Sequence, residues 1–92
     1  MIVRISTEDQ YRLPDGDAQR LNELDNQAVA AVESDDEDRF HEVFEEMLNL
    51  VRTDGHKLSE DELEESDVIL PPPDLSFSEA HLEFSGDGLI PD

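Results

Sequence analysis

One apolar stripe constrains this chain more than any other feature. Phe40, Val43, Phe44, Met47, Leu48 and Val51 recur at i, i+3, i+4, i+7, i+8 and i+11. That period puts the large side chains on one side of a helix and leaves Asp38, His41, Glu42, Glu45 and Glu46 for the other. Elsewhere apolar residues are scarce. They make up 36% of the 92 residues, against roughly 45–50% in an ordinary globular chain, an average that also counts glycine. Length predicts a single domain over residues 1–92, so its small core must be assembled around this stripe.

The ends of the helix are marked as well. Ser34-Asp35-Asp36-Glu37 matches the S-x-x-E capping box, in which hydroxyl and carboxylate satisfy each other's backbone donors. The acids at 35–38 suit the positive end of a helix dipole, and Arg52 suits the last turn. Gly55 is placed to be the left-handed residue that ends the helix. Upstream, Leu21, Leu24, Ala28, Ala31 and Val32 fall at helical spacings, with Asp15 or Asp17 available as cap. The link near Ser34 is very short, so the two helices must reverse and pack as an antiparallel hairpin.

The chain opens differently. Met1, Val3 and Ile5 alternate with Ile2 and Arg4, a strand pattern. Ser6-Thr7-Glu8-Asp9 is a turn, and Gln10 to Leu13 forms a return strand with Tyr11 and Leu13 on one face. Pro14 and Gly16 stop it. Residues 1–13 therefore predict a small β-hairpin.

Residues 55–92 hold eleven acids and one Lys. Leu58 to Leu63 can form one helical turn. Val68-Ile69-Leu70 is a short apolar run halted by Pro71-Pro72-Pro73, which cannot continue a helix. These prolines read as a stiff strap across the domain rather than a ligand for an aromatic groove. Ser76 or Ser78 can cap a short helix carrying Ala80, Leu82 and Phe84, and Ser76 with Glu79 is a second capping box. Gly86-Asp87-Gly88 breaks that helix, and Leu89-Ile90-Pro91 is apolar enough to fasten onto the core. The expected fold is α+β: an N-terminal β-hairpin, a central antiparallel helical hairpin, and an extended acidic C-terminal segment with a short helix. Residues 1–54 would form the core and 55–92 the strap.

Charge removes several function classes. Twenty-six acids against six bases give a net charge of −20. Nucleic acids are excluded as partners because their phosphates require clustered Lys and Arg. The same sign opposes direct docking on an anionic membrane surface. No apolar run approaches the ~20 residues of a membrane span, and the first residues lack the apolar stretch of a signal peptide. A cytoplasmic location is expected. With no cysteine there is no disulfide, thiolate zinc site or cysteine nucleophile. Low Lys beside abundant acids suits a salt-loving source and an ordinary acidic adaptor equally well.

Motifs for chemistry are weak. His41 lies between Glu37 and Glu45 at i±4, a spacing that could bridge a transition metal, but a solvated helix face explains it better. His56 and His81 are isolated. Asp15-Gly16-Asp17 opens like a calcium loop, yet Gln19, Arg20 and Asn26 stand at positions five, six and twelve, so the required Gly and Glu are missing. There is no nucleophile elbow and no phosphate loop. No enzyme, cofactor or metal is expected. Partner contact is expected on the polar face of the helical hairpin, at Asp35, Asp38, Glu42, Glu45 and Glu46, or along an exposed strand edge of residues 1–6.

Read end to end, the chain resembles the PspAA family of PspA-associated proteins. The matching pieces are Met1-Ile2-Val3-Arg4-Ile5, Gln10-Tyr11-Arg12-Leu13, Leu21-Asn22-Glu23-Leu24-Asp25-Asn26, and the second amphipathic helix with Gly55. Ser66-Asp67-Val68-Ile69-Leu70-Pro71-Pro72-Pro73-Asp74 and Gly86-Asp87-Gly88-Leu89-Ile90-Pro91 complete them. The stretch from Phe40 to Leu50 is more aromatic and charged than the family pattern. The resemblance implies an accessory factor of the phage-shock-type envelope-stress response. It implies a partner, PspA, a coiled-coil protein that assembles on stressed membranes, so that this chain would reach membrane only through PspA. It supplies no catalytic residues. The rival readings are a stand-alone acidic structural or homo-oligomeric domain, such as a homodimer shaped by halophily, and an ion-responsive acidic sensor.

Overall fold

Val3 and Ile5 are fully buried, Ile2 nearly so, and Arg4 is half-buried, so the opening strand has little solvent on either side. A computed structural model describes residues 1–84 and 89 and shows why. β1 (Ile2–Ile5) pairs antiparallel with β2 (Gln10–Arg12), with Val3 opposite Tyr11. After the helices come β3 (His56–Lys57), a 3-10 turn at Glu60–Glu62, and β4 (Val68–Leu70). β3 pairs antiparallel with β2, and β4 runs parallel to β1, giving the order β3-β2-β1-β4. The N-terminal hairpin is therefore the middle of a four-stranded sheet.

This corrects one expectation. The edge of residues 1–6 is not free for a partner, because β2 and β4 flank β1 on both sides. The segment after the helices is also more than a strap: two of its pieces are strands, and Val68, Leu70 and Leu75 join the core. The triproline follows β4 directly. Pro71 is buried, and Leu75 N–H donates to the Pro72 carbonyl at 3.0 Å, so the prolines turn the chain back instead of presenting an open ligand.

α1 (Asp15–Glu33) and α2 (Glu37–Asp54) form the antiparallel pair. All six residues of the α2 stripe are buried, and α1 contributes Leu21, Leu24, Ala28, Ala31 and Val32 as its spacing required. Three details at the helix ends differ from expectation. Neither Asp15 nor Asp17 caps α1; Pro14 occupies the cap position and both acids lie in the first turn, where the dipole favours them. The Ser34–Glu37 capping box does not form. Ser34 still belongs to the end of α1, its hydroxyl donating to the Ala30 carbonyl at 2.6 Å. Asp35 then takes a left-handed φ of 56°, which reverses the chain within one residue, and Asp36 accepts from Arg39 N–H at 3.1 Å as the true cap. Third, Gly55 is extended (φ −78°, ψ 151°) because the chain passes straight into β3. Glycine is needed there for closeness: a Cβ would overlap the Val51 carbonyl oxygen and sit 3.0 Å from Tyr11 Cβ.

α3 (Phe77–Glu83) forms with Ser76 as cap, and the Ser76–Glu79 capping box is present. Phe84 is fully buried against Phe40 and Phe44, at centroid distances of 5.2 and 6.0 Å with the rings edge-on. Phe77 meets Phe40 at 5.9 Å. All four phenylalanines thus join α3 to the start of α2. Each fully buried ring contributes about 1.5–3 kcal/mol of transfer free energy. Leu82, expected to share that helix's apolar side, is instead 81% exposed. Leu89 packs on the core as expected, whereas Gly86-Asp87-Gly88 and Ile90-Pro91 lie outside the described residues.

Candidate partner-binding surface

Because six of the residues of α2 face inward, its remaining positions are committed to water. Asp38, Glu42 and Glu45 lie opposite the buried stripe and are exposed. Glu46 stands one step round towards α1 and reaches Arg20 Nη2 at 3.7 Å. Glu42 accepts from Arg39 at 3.5 Å. Glu45 borders a groove shared with His41, Leu48, Arg52 and Pro73. Asp35 is apart from these four: it sits in the interhelical link, and its carboxylate lies 3.3 Å from His81 Nε2 on α3. The fold therefore gathers Asp38, Glu42, Glu45 and Glu46 on one helix face and places Asp35 at its end.

The cations near this face are already engaged. Arg20 bonds Glu23 at 3.3 Å as well as approaching Glu46. Arg39 crosses to α1, donating to Gln27 Oε1 at 2.8 Å. Arg52 is bound in a two-pronged contact by Glu8 in the β1–β2 turn, and that hydrogen bond raises its guanidinium further above its ordinary value. Such exposed pairs contribute little to stability one by one, but they set where uncompensated negative charge remains. His41 lies 3.8 Å from Glu37. Among the described residues no cluster of three His, Asp or Glu side chains is arranged to hold a metal ion.

Three features escaped the sequence reading. Asp17, in the first turn of α1, and Asp54, the last residue of α2, meet at the open end of the hairpin; desolvation first, then hydrogen bonding to Asp54 and its like charge, raise the Asp17 carboxyl above its ordinary 3.8. Antiparallel packing of two helices brings their outer ends together, so the hairpin prediction contained this signal. Gln10 is 1% exposed and bonds the chain at Glu64 and Ser66. Nothing in its spacing distinguishes it from a solvent-facing strand residue. Ser59 and Glu62 form a second capping box beside that of Ser76 and Glu79, and its bonds lower the Glu62 carboxyl, the backbone N–H of Ser59 first.

No described helix is long and apolar enough to cross a membrane. The surface is acidic, the outer face of α2 is exposed, and the fold is a small α+β domain whose larger apolar cluster forms its own core. The chain belongs to the PspAA family of PspA-associated proteins, whose family model matches residues 1–92. No curated protein and no solved structure matches it.

Proposed function

We propose that this protein is a non-enzymatic adaptor or regulator that binds PspA in the phage-shock-type envelope-stress response. The observation that carries the reading is the match of the whole chain to a family described by its association with PspA. The acidic outer face of α2 supports it, since Asp38 and Glu45 have no ion pair among the described residues and charge of one sign steers association with a complementary partner. Asp35, Asp38, Glu42, Glu45 and Glu46 are the proposed contact residues. The protein would work in the cytoplasm and meet membranes only through PspA.

Co-purification with PspA at the ionic strength of the source cell tests this directly. Reversal of Asp38, Glu42 and Glu45 to Lys should abolish capture while leaving the circular dichroism spectrum intact. Wild-type protein that fails to retain PspA would overturn the reading.

A second reading rests on β4. It is an outer strand of the sheet, and Ile69 at its centre is 59% exposed. Such an edge can pair with a second copy. Sedimentation showing a dimer that Ile69→Lys converts to monomer, without any PspA dependence, would favour this homo-oligomeric reading.

A further inference from the structure

The solvent side of the helical hairpin carries a shallow seam between the two helices. α1 lines it with Arg20, Leu24, Gln27, Ala31 and Ser34, spaced by four, three, four and three residues, so they form one ridge. Asp36, the cap of α2, and Arg39, Glu46, Leu50 and Thr53 of α2 line its other side. Two depressions open along this line. One, about 340 Å³, has Leu24 and Leu50 in its wall; the other, about 220 Å³, is floored by Ala30 and Ala31. Small side chains at a helix pair allow a third backbone to approach closely, and ridges of a helix fit grooves between helix side chains. The 18 residues of α2 give the seam a length of about 27 Å at 1.5 Å per residue.

Its charge selects the occupant. Both arginines on the seam are neutralised, Arg20 by Glu23 and Glu46, and Arg39 by Glu42 with Gln27. At one end Asp17 and Asp54 stand together with no cation in ion-pair reach among the described residues; desolvation first, then Asp54, raises the Asp17 carboxyl above its ordinary value. Asp36 at the other end is likewise without an ion pair, as is Asp38 beyond it. A second copy of this chain would bring its own net charge of −20 against these unpaired acids, so it is not the occupant of the seam. We propose that the seam seats a partner helix with a basic face, its small or apolar residues over Leu24, Ala30 and Leu50 and a Lys or Arg directed between Asp17 and Asp54. The proposal rests on the PspA reading only for the partner's identity; the chemistry of the helix follows from the seam.

The test uses the full chain and a synthetic amidated helix of about four turns built from Leu, Ala and Lys, with a Glu-for-Lys version as control. Binding should shift the backbone amides of Leu24, Ala30, Glu46 and Leu50 in nuclear magnetic resonance spectra, and the control should shift none. Ala30→Trp, at an exposed site whose bulk blocks the floor, should weaken the peptide about tenfold, the size of a contact-residue effect. Asp54→Asn should weaken it severalfold while making the free protein more stable at neutral pH, a combination that damage to the fold cannot produce. Neutralising the same kind of charge elsewhere, in Glu60→Gln with Glu65→Gln, should change affinity much less. Peptide shifts centred on residues 60–67, equal losses from both neutralisations, or no binding would overturn the seam. PspA that binds wild type and Ala30→Trp alike also overturns the seam and leaves the PspA association standing. Peptide bound on the seam beside a PspA that never binds does the reverse.

Discussion

Gln10 and Glu64 are fastened to each other through both halves of the Gln10 amide. Its Nε2 donates to the Glu64 carbonyl at 2.5 Å and its Oε1 accepts from Glu64 N–H at 3.0 Å, 54 residues further along the chain. Ser66 Oγ takes a second bond from Nε2 at 2.7 Å. A side chain thus does for residues 64–66 what a neighbouring strand would do, and it holds the approach to β4 in place. Replacing it with Leu keeps the volume and removes the bonds, leaving the Glu64 backbone groups without their partner. Gln10→Leu should lower stability by about 1–3 kcal/mol. A urea titration should show a lower midpoint with an unchanged slope, and amide exchange should accelerate first at residues 64–70.

Asp17 and Asp54 make the opposite prediction, a gain. The folded state raises the Asp17 carboxyl above its unfolded value of 3.8, through desolvation and then through Asp54. Folded protein therefore binds more protons than unfolded protein between the two values. Stability from this source is complete below the unfolded value and is lost as pH rises through the folded one. Asp54→Asn removes the like charge and keeps a hydrogen-bonding group. The variant should melt at a higher temperature than wild type at pH 7, and the difference should close as pH falls below the ordinary carboxylate range. A gap that stays constant with pH would show that the two carboxyls do not interact.

The two glycines next to helices should respond with opposite signs. Gly16 lies in the first turn of α1, and a Cβ there meets nothing within 4 Å. Gly16→Ala should stabilise by about 0.4–1 kcal/mol, because it reduces the freedom of the unfolded chain alone. Gly55 has a φ that any residue adopts, but its Cβ would strike the Val51 carbonyl oxygen and crowd Tyr11. Gly55→Ala must push α2 away from β2, at a cost of about 1–3 kcal/mol. Paired thermal melts decide the matter, and a stabilised Gly55→Ala would refute the close approach.

How much of this was legible in the sequence depends on the range of the interaction. The α2 stripe, the α1 spacing and the Ser76–Glu79 box are periodic or local, and each appears where the residues put it. The hairpin of β1 and β2 was legible for the same reason. The two outer strands were not. β3 is two exposed residues, His56 and Lys57, with no pattern to read, and it exists because Gly55 delivers the chain alongside β2. β4 was visible as an apolar run, but nothing in three residues says that it lies parallel to β1, 65 positions upstream. Of the proposed contact residues, Asp38, Glu42, Glu45 and Glu46 could be placed on one face from their spacing, while the position of Asp35 depended on a backbone reversal that composition does not announce.

That reversal separates two descriptions of the link between the helices. Under a Ser34–Glu37 capping box, Ser34→Ala would remove the cap of α2 and Asp36→Ala would be nearly silent. The structure reverses these roles. Asp36 Oδ1 accepts from Arg39 N–H at 3.1 Å, and Ser34 only returns its hydroxyl to Ala30 in the last turn of α1. Asp36→Ala leaves an orphan donor at the positive end of α2 and removes a charge the dipole favours, so it should cost about 0.5–2 kcal/mol. Ser34→Ala should change stability by no more than a few tenths of a kcal/mol, since a back-bonded serine adds little to a helix end. Equilibrium unfolding of both variants at pH 7 measures the two values, and a larger loss from Ser34→Ala than from Asp36→Ala would restore the capping box.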